Sequence, residues 1–171
     1  MRYLCVPTAW GWVALARNEN GLLAVIPPRP DEEEALTALR AKLGGGSGQE
    51  DRQAFGDLPL RLEAYFAGDE VDLSRGVVLD WSRTGDFRRR VLLAVREIPY
   101  GHIRPYRWVA TKIGRPQACR AVGQALRANP WPLVIPCHRV VGSAGRLGGY
   151  SAGQALKRRL LKLEGGGQGL R

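Results

Sequence analysis

Charge divides this sequence in two. Residues 1–81 hold 8 Lys/Arg against 13 Asp/Glu, a balance of −5. Residues 82–171 hold 18 against 3, a balance of +15. A basic half joined to an acidic half is the footprint of a polyanion-binding domain. A generally basic composition would give a uniform excess and would not leave the first half acidic. A chain of 171 residues suffices for one domain or two small ones. The expected division is a structural domain over 1–80 and a binding domain over 81–171.

The first half reads as a small antiparallel sheet with helices. Segments 3–6 and 11–16 read as strands, and Asn18-Glu-Asn-Gly21 as a hairpin turn, since Asn-Gly tolerates positive φ. Residues 22–26 form the next expected strand, ended by Pro27-Pro28. Asp31 is the expected cap of a helix reaching about Leu43. Glu32, Glu33 and Glu34 fill its first turn, where carboxylates meet the positive end of the helix dipole. Gly44-Gly-Gly-Ser-Gly48 reads as a flexible loop and 58–66 as a short helix. Nothing in this half points to catalysis.

In the basic half, Thr84 or Asp86 is the expected cap of a helix through Glu97. A short helix over 106–113, a turn at Gly114-Arg-Pro116 and a longer helix over 117–128 make a helix-turn-helix pattern. An ordinary helical hairpin has the same outline. The second of these helices carries Gln117, Arg120, Gln124 and Arg127 as its long polar residues, the candidate DNA contacts. Its small residues, such as Ala121 and Gly123, allow close approach to another backbone. Asn129-Pro130 stops it. Ser151 is the expected cap of a last helix over 153–163. That helix should keep Ala155, Leu156, Leu160 and Leu163 inside and Lys157, Arg158, Arg159 and Lys162 outside. Gly165-Gly-Gly-Gln-Gly169 predicts a disordered end.

Between these helices lies Asn129-Pro-Trp-Pro-Leu-Val-Ile-Pro-Cys-His-Arg-Val-Val141. A rigid, mostly apolar approach delivers Cys137, with His138 beside it. A thiolate is a nucleophile, and a neighbouring proton acceptor raises its population. A buried structural cysteine next to a surface histidine fits the same spacing. The three cysteines, Cys5, Cys119 and Cys137, show no paired spacing and read as reduced thiols. With two histidines and no Cys-x-x-Cys, no metal site is expected. No stretch of 18 or more apolar residues occurs, and the first residues lack a signal-peptide core, so a cytoplasmic location is expected.

Pro136-Cys-His-Arg-Val140, preceded by Arg120-Ala-Val-Gly123 and Asn129-Pro130, resembles the active-site region of the O6-alkylguanine-DNA alkyltransferases, also called methylated-DNA–protein-cysteine methyltransferases. The likeness runs from about Gly85 to Glu164. It implies an α+β protein: a small ribonuclease-H-like antiparallel sheet domain, then a helical, winged-helix-like domain with a helix-turn-helix. It implies direct, single-turnover repair of double-stranded DNA, in which a guanine is flipped out and its O6-alkyl group passes to Cys137. His138 matches the histidine that takes the thiol proton through a water, and Glu164 the carboxylate that orients it. Tyr106 matches a phenol that assists the guanine leaving group at its N3 edge. Tyr150 and Ser151 match the pocket loop, and Val140 offers its carbonyl to the exocyclic amine. Asn129 matches the residue tying the helix-turn-helix to the active-site loop. Arg120 matches the finger that fills the stack, although a phosphate contact is the commoner use of Arg at DNA. No metal or diffusible cofactor is implied, and a monomer is expected. Arg104-Pro105, Arg107-Trp108, Cys119 and Gln124 depart from the familiar pattern. Two other classes remain open on the residues: a non-catalytic helix-turn-helix damage binder or regulator, and a cysteine hydrolase.

Overall fold

The computed structural model describes residues 1–166. The expected glycine-rich end falls mostly on 167–169, outside the described residues; Glu164–Gly166 form a turn. The described chain is mixed α+β and gathers into two compact units. One comprises Met1–Ser82 with Pro130–Val134, and the other Arg83–Asn129 with the chain from Ile135 onward. Among the described residues no helix is long and apolar enough to cross a membrane.

The first unit is built on strands β1 (Arg2–Thr8), β2 (Gly11–Asn18) and β3 (Gly21–Arg29), an antiparallel meander. The two-residue β4 (Gln49–Glu50) pairs parallel to β1, giving the order β3-β2-β1-β4. In the hairpin turn Asn18 Oδ1 accepts from the amides of Asn20 (2.9 Å) and Gly21 (3.1 Å). Strand β3 runs on through Pro27 and Pro28, which were expected to end it. It lies at the edge of the sheet, where missing amides are tolerated, and its pairing with β2 shifts register between Trp12 and Ala14. Gly11, at φ +110°, is required there: a Cβ would stand 2.2 Å from the Arg29 carbonyl oxygen.

Helix α1 (Glu32–Leu43) is capped by Asp31, whose side chain accepts from the Glu34 amide at 2.8 Å. It lays Ala35 and Leu39 on a sheet face made by Cys5, Ala14, Ala16, Ala24 and Ile26. Helix α2 (Leu58–Ala67) buries Leu62, Tyr65 and Phe66. Pro130–Val134 join this unit through specific bonds. The Val25 amide donates to the Pro130 carbonyl at 2.9 Å, and Trp131 Nε1 donates to the Leu22 carbonyl at 2.7 Å. Trp131 is buried, edge-on to Trp81 with centroids 4.8 Å apart. Leu133 holds φ at +77°, a left-handed conformation that costs a branched residue about 1–3 kcal/mol.

The second unit contains α3 (Asp86–Arg96), α4 (Tyr106–Lys112), α5 (Cys119–Arg127) and α6 (Gln154–Leu163). Two short strands, β5 (Arg104–Pro105) and β6 (Val140–Val141), pair in parallel. The N-cap of α3 is Gly85, not Thr84 or Asp86; Asp86 opens the helix and puts its charge at the positive end. Helix α5 starts two residues later than expected. Pro116 and Gln117 form a turn, closed by the Ala118 amide donating to Arg115 O at 2.9 Å. Gln117 is therefore exposed ahead of the helix, not on it. Ser151 does not cap α6: Gly153 holds that position at φ +91°, in a conformation closed to serine, and no side chain caps the end. The buried stripe of α6 is Lys157, Leu160 and Leu161, so Lys157 faces inward and Ala155 is exposed.

Candidate active site

Cys137 is presented by a sharp turn. Pro136 (φ −79°, ψ 62°) sits in an inverse γ-turn, closed by the Cys137 amide donating to Ile135 O at 2.8 Å. Cys137–Arg139 then form one turn of 3-10 helix leading into β6. Asn129, buried at the end of α5, donates through Nδ2 to Ile135 O (3.1 Å) and to Cys137 Sγ (3.2 Å). One amide thus fixes both the turn and the sulfur, and a donor at sulfur favours the thiolate.

The sulfur lies at a cleft of about 320 Å³. Arg120, Gly123, Gln124, Leu126 and Arg127 of α5 line it from one side, and Gly149, Tyr150 and Ser151 of the loop before α6 from another. Tyr106, the first residue of α4, completes the lining. Gln117 takes no part in it. Cys137 is 4% exposed, buried yet open to this cleft.

His138 is fully buried beside it, and its Nε2 lies 2.8 Å from Glu164 Oε1. A carboxylate accepts, so Nε2 carries the proton and Nδ1 the lone pair. Burial lowers the His138 pKa, against the opposing pull of Glu164, and Arg139 and Lys157 lower it further. The imidazole is therefore neutral and ready to accept a proton at Nδ1. Burial would raise the Glu164 carboxyl, but hydrogen bonds and charge from His138 and Arg139 hold it well below the carboxylate range. Arg139 grips Glu164 through Nε to Oε2 (2.8 Å) and Nη2 to Oε1 (2.9 Å), and Nη1 donates to Ile98 O at 2.6 Å. The Gly101 amide adds a longer contact to Oε2 at 3.4 Å.

On the opposite side, Lys157 Nζ donates to Val140 O (2.6 Å) and Gly149 O (3.1 Å) and sits 5.9 Å from the Tyr106 ring centre. Burial lowers its pKa to about 8, with Cys137 pulling the other way. The Val140 carbonyl already serves Lys157; its second lone pair is what remains for another donor. The Tyr106 hydroxyl donates to Gly149 O at 3.4 Å, and its pKa is raised by burial and by Cys137. Gly148 (φ +71°) packs on this ring, and a Cβ there would lie 3.0 Å from it. The Tyr150 ring meets His138 edge to face at 6.4 Å between centroids.

The residues singled out from the sequence are thus brought together, except Gln117. Arg139, Lys157, Ile98, Gly101 and Gly148 belong to the same constellation and were not singled out. A signal for Lys157 was present: 157, 160, 161 and 164 form one i, i+3, i+4, i+7 row that includes Glu164. The arrangement can remove a proton from one thiol and hold the resulting anion in a small cleft faced by a basic helix.

Residues 86–166 match the family model described as 6-O-methylguanine DNA methyltransferase, DNA binding domain. The chain is 44% identical over 167 residues to the methylated-DNA–protein-cysteine methyltransferase of Methanosarcina barkeri, covering 96% of this chain and 97% of that one. It is 45% identical over 156 residues to the enzyme of that name from Sulfurisphaera tokodaii, covering 91% and 88%. Its structure is similar to the crystal structure of Mycobacterium tuberculosis OGT in complex with DNA, with a TM-score of 0.77, 35% identity, and coverage of 96% and 93%.

Proposed function

The chain belongs to the methylated-DNA–protein-cysteine methyltransferase family, and from that premise we propose that Cys137 is its alkyl acceptor for O6-alkylguanine in double-stranded DNA. The protein is a DNA-repair methyltransferase that moves an alkyl group from DNA to its own cysteine. One observation carries the assignment to Cys137: its sulfur opens onto the cleft lined by Arg120, Gln124 and Arg127, with the His138–Glu164 pair beside it.

In the proposed reaction the guanine is flipped into the cleft, since the alkyl carbon cannot be reached inside the stack. His138 Nδ1 receives the Cys137 proton through a water. The sulfur attacks the alkyl carbon, an S–C bond forms, the C–O6 bond breaks, and the electron pair stays on guanine. Tyr106 steadies that developing charge by a hydrogen bond to the N3 edge. Val140 O accepts from the exocyclic amine with its remaining lone pair, and Tyr150 and Ser151 wall the pocket. Arg120 fills the vacated stack, while Gln124 and Arg127 approach the duplex. A thioether is a poor leaving group, so each molecule acts once. We assign the finer architecture in the same terms, with bounds set by the two units and not by a single cut at 80/81: residues 1–82 with 130–134 as a ribonuclease-H-like structural unit, and 83–129 with the chain from 135 onward as a winged-helix-like unit with α4 and α5 as its helix-turn-helix. The protein is read as a cytoplasmic monomer.

Duplex DNA bearing labelled O6-methylguanine tests the reading. One label per molecule is expected, on Cys137 by mass spectrometry, and none with Cys137→Ala. Retained DNA without transfer would mean a damage binder, and repeated turnover of a small ester a hydrolase. Either outcome overturns the proposal.

A further inference from the structure

Among the described residues, two buried side-chain polar atoms of this unit have no hydrogen-bond partner: His138 Nδ1 and Tyr150 Oη. They belong to rings in edge-to-face contact, 6.4 Å between centroids. Buried polar groups are satisfied in native proteins, so two neighbouring exceptions point to a shared partner. Their chemistry is complementary. With Nε2 committed to Glu164, Nδ1 can only accept. The Tyr150 phenol keeps its proton, because burial, then negative charge on Cys137 and on Glu164, disfavour its loss. Cys137 and Tyr150 also line one cleft. A single water among thiol, phenol and imidazole would have three partners, the usual number for a buried water.

We propose that Tyr150 is a positioning residue for proton removal from Cys137, its hydroxyl holding the water that links the thiol to His138 Nδ1. The inference rests on the proposed role of Cys137 as the reactive thiol. The water accepts from the thiol and from the phenol and donates to Nδ1. In the transfer the S–H bond breaks and a water O–H forms, while another water O–H breaks and the Nδ1–H bond forms. The water is regenerated, and the phenol keeps its own proton throughout. Tyr150 thereby aims the water's hydrogen at the imidazole and stabilises the thiolate–imidazolium pair.

Other charged and titratable groups face this path. Glu164 and Arg139 stand behind His138, Lys157 approaches from α6 and Tyr106 from α4. Lys157, whose pKa falls to about 8, titrates in the working range, so the comparison is made within backgrounds that share it.

The test is the rate of Cys137 alkylation by iodoacetamide against pH, in the wild type and in Tyr150→Phe, which keeps the ring and removes only the hydroxyl. The variant is expected to react about tenfold more slowly near pH 7, the scale of one hydrogen bond to a charged group, with the gap closing as the thiol ionises unaided at high pH. Superimposable profiles, or one uniform loss at every pH, would overturn the inference. The wild type gives a second measurement: a bound water with nuclear Overhauser contacts to both the His138 and Tyr150 ring protons is expected, and its absence also overturns the inference. Iodoacetamide requires no guanine recognition. A wild type that takes no label from duplex DNA would sink the proposed function, while the two profiles would still decide the role of Tyr150.

Discussion

Arg139 holds both oxygens of Glu164, through Nε at 2.8 Å and Nη2 at 2.9 Å, and neither residue is more than one-tenth exposed. Removing one member of a buried, hydrogen-bonded pair leaves the other charge uncompensated. Arg139→Met is therefore expected to lower stability by about 3–5 kcal/mol, read by denaturant unfolding. The pair also sets an acid limit. The Glu164 carboxyl is depressed in the folded state, so its contribution is complete above the unfolded carboxylate value and is lost as pH falls below about 4. Glu164→Gln should flatten that acid limb; an unchanged limb would assign it to other carboxylates.

Lys157 gives the opposite slope. Its pKa drops from 10.5 to about 8 on folding, so between those values the unfolded chain binds more protons and stability rises with pH. The neutral amine keeps two N–H donors, enough for Val140 O and Gly149 O. Relative to Lys157→Met, the wild type should gain about 2–3 kcal/mol between roughly pH 7.5 and pH 10. A difference that does not vary with pH would count against the buried ammonium.

Gly148 is tied to Tyr106 by contact. Because it sits at φ +71° with the Tyr106 ring 3.0 Å from any Cβ, Gly148→Ala should strain the loop and displace the phenol. Alkyl transfer from duplex DNA is expected to slow at least about tenfold, the scale of one mispositioned catalytic hydrogen bond, with DNA affinity changed much less. Equal losses in both would place the damage in the DNA contacts.

Arg120 is exposed at the cleft on α5. Arg120→Ala should slow repair in duplex DNA more than reaction with a free O6-benzylguanine-type base, since only the duplex must be held open. Equal losses on both substrates would contradict a stack-filling role. Affinity for duplex DNA should fall steeply with salt, and a flat salt dependence would contradict phosphate-dominated binding.

What the sequence made legible was local. Asp31, the Asn18–Gly21 turn and the stop at Asn129-Pro130 act through their own neighbours, and each stands where it was expected. Cys137 and His138 are adjacent in sequence. Glu164, 26 positions from His138, was reachable only through the family resemblance. The misreadings have tertiary causes. Ser151 lost its cap because Gly153 takes a backbone conformation closed to serine. Pro27 and Pro28 did not end their strand because it lies on an edge. Lys157 was expected outside because charge outweighs periodicity in a simple reading. It is buried because the carbonyls of Val140 and Gly149 await it.

The passage of Pro130–Val134 through the first unit bears on any attempt to cut this protein apart. A scission at residue 82, the obvious place from the charge map, separates Pro130–Val134 from the unit they pack into. The C-terminal fragment would carry Trp131 with its indole donor stripped of the Leu22 carbonyl. Leu133, at φ +77°, would lie in the same detached segment. Those orphaned residues sit only a few positions upstream of the sulfur, so the loss would reach the nucleophile along the chain itself.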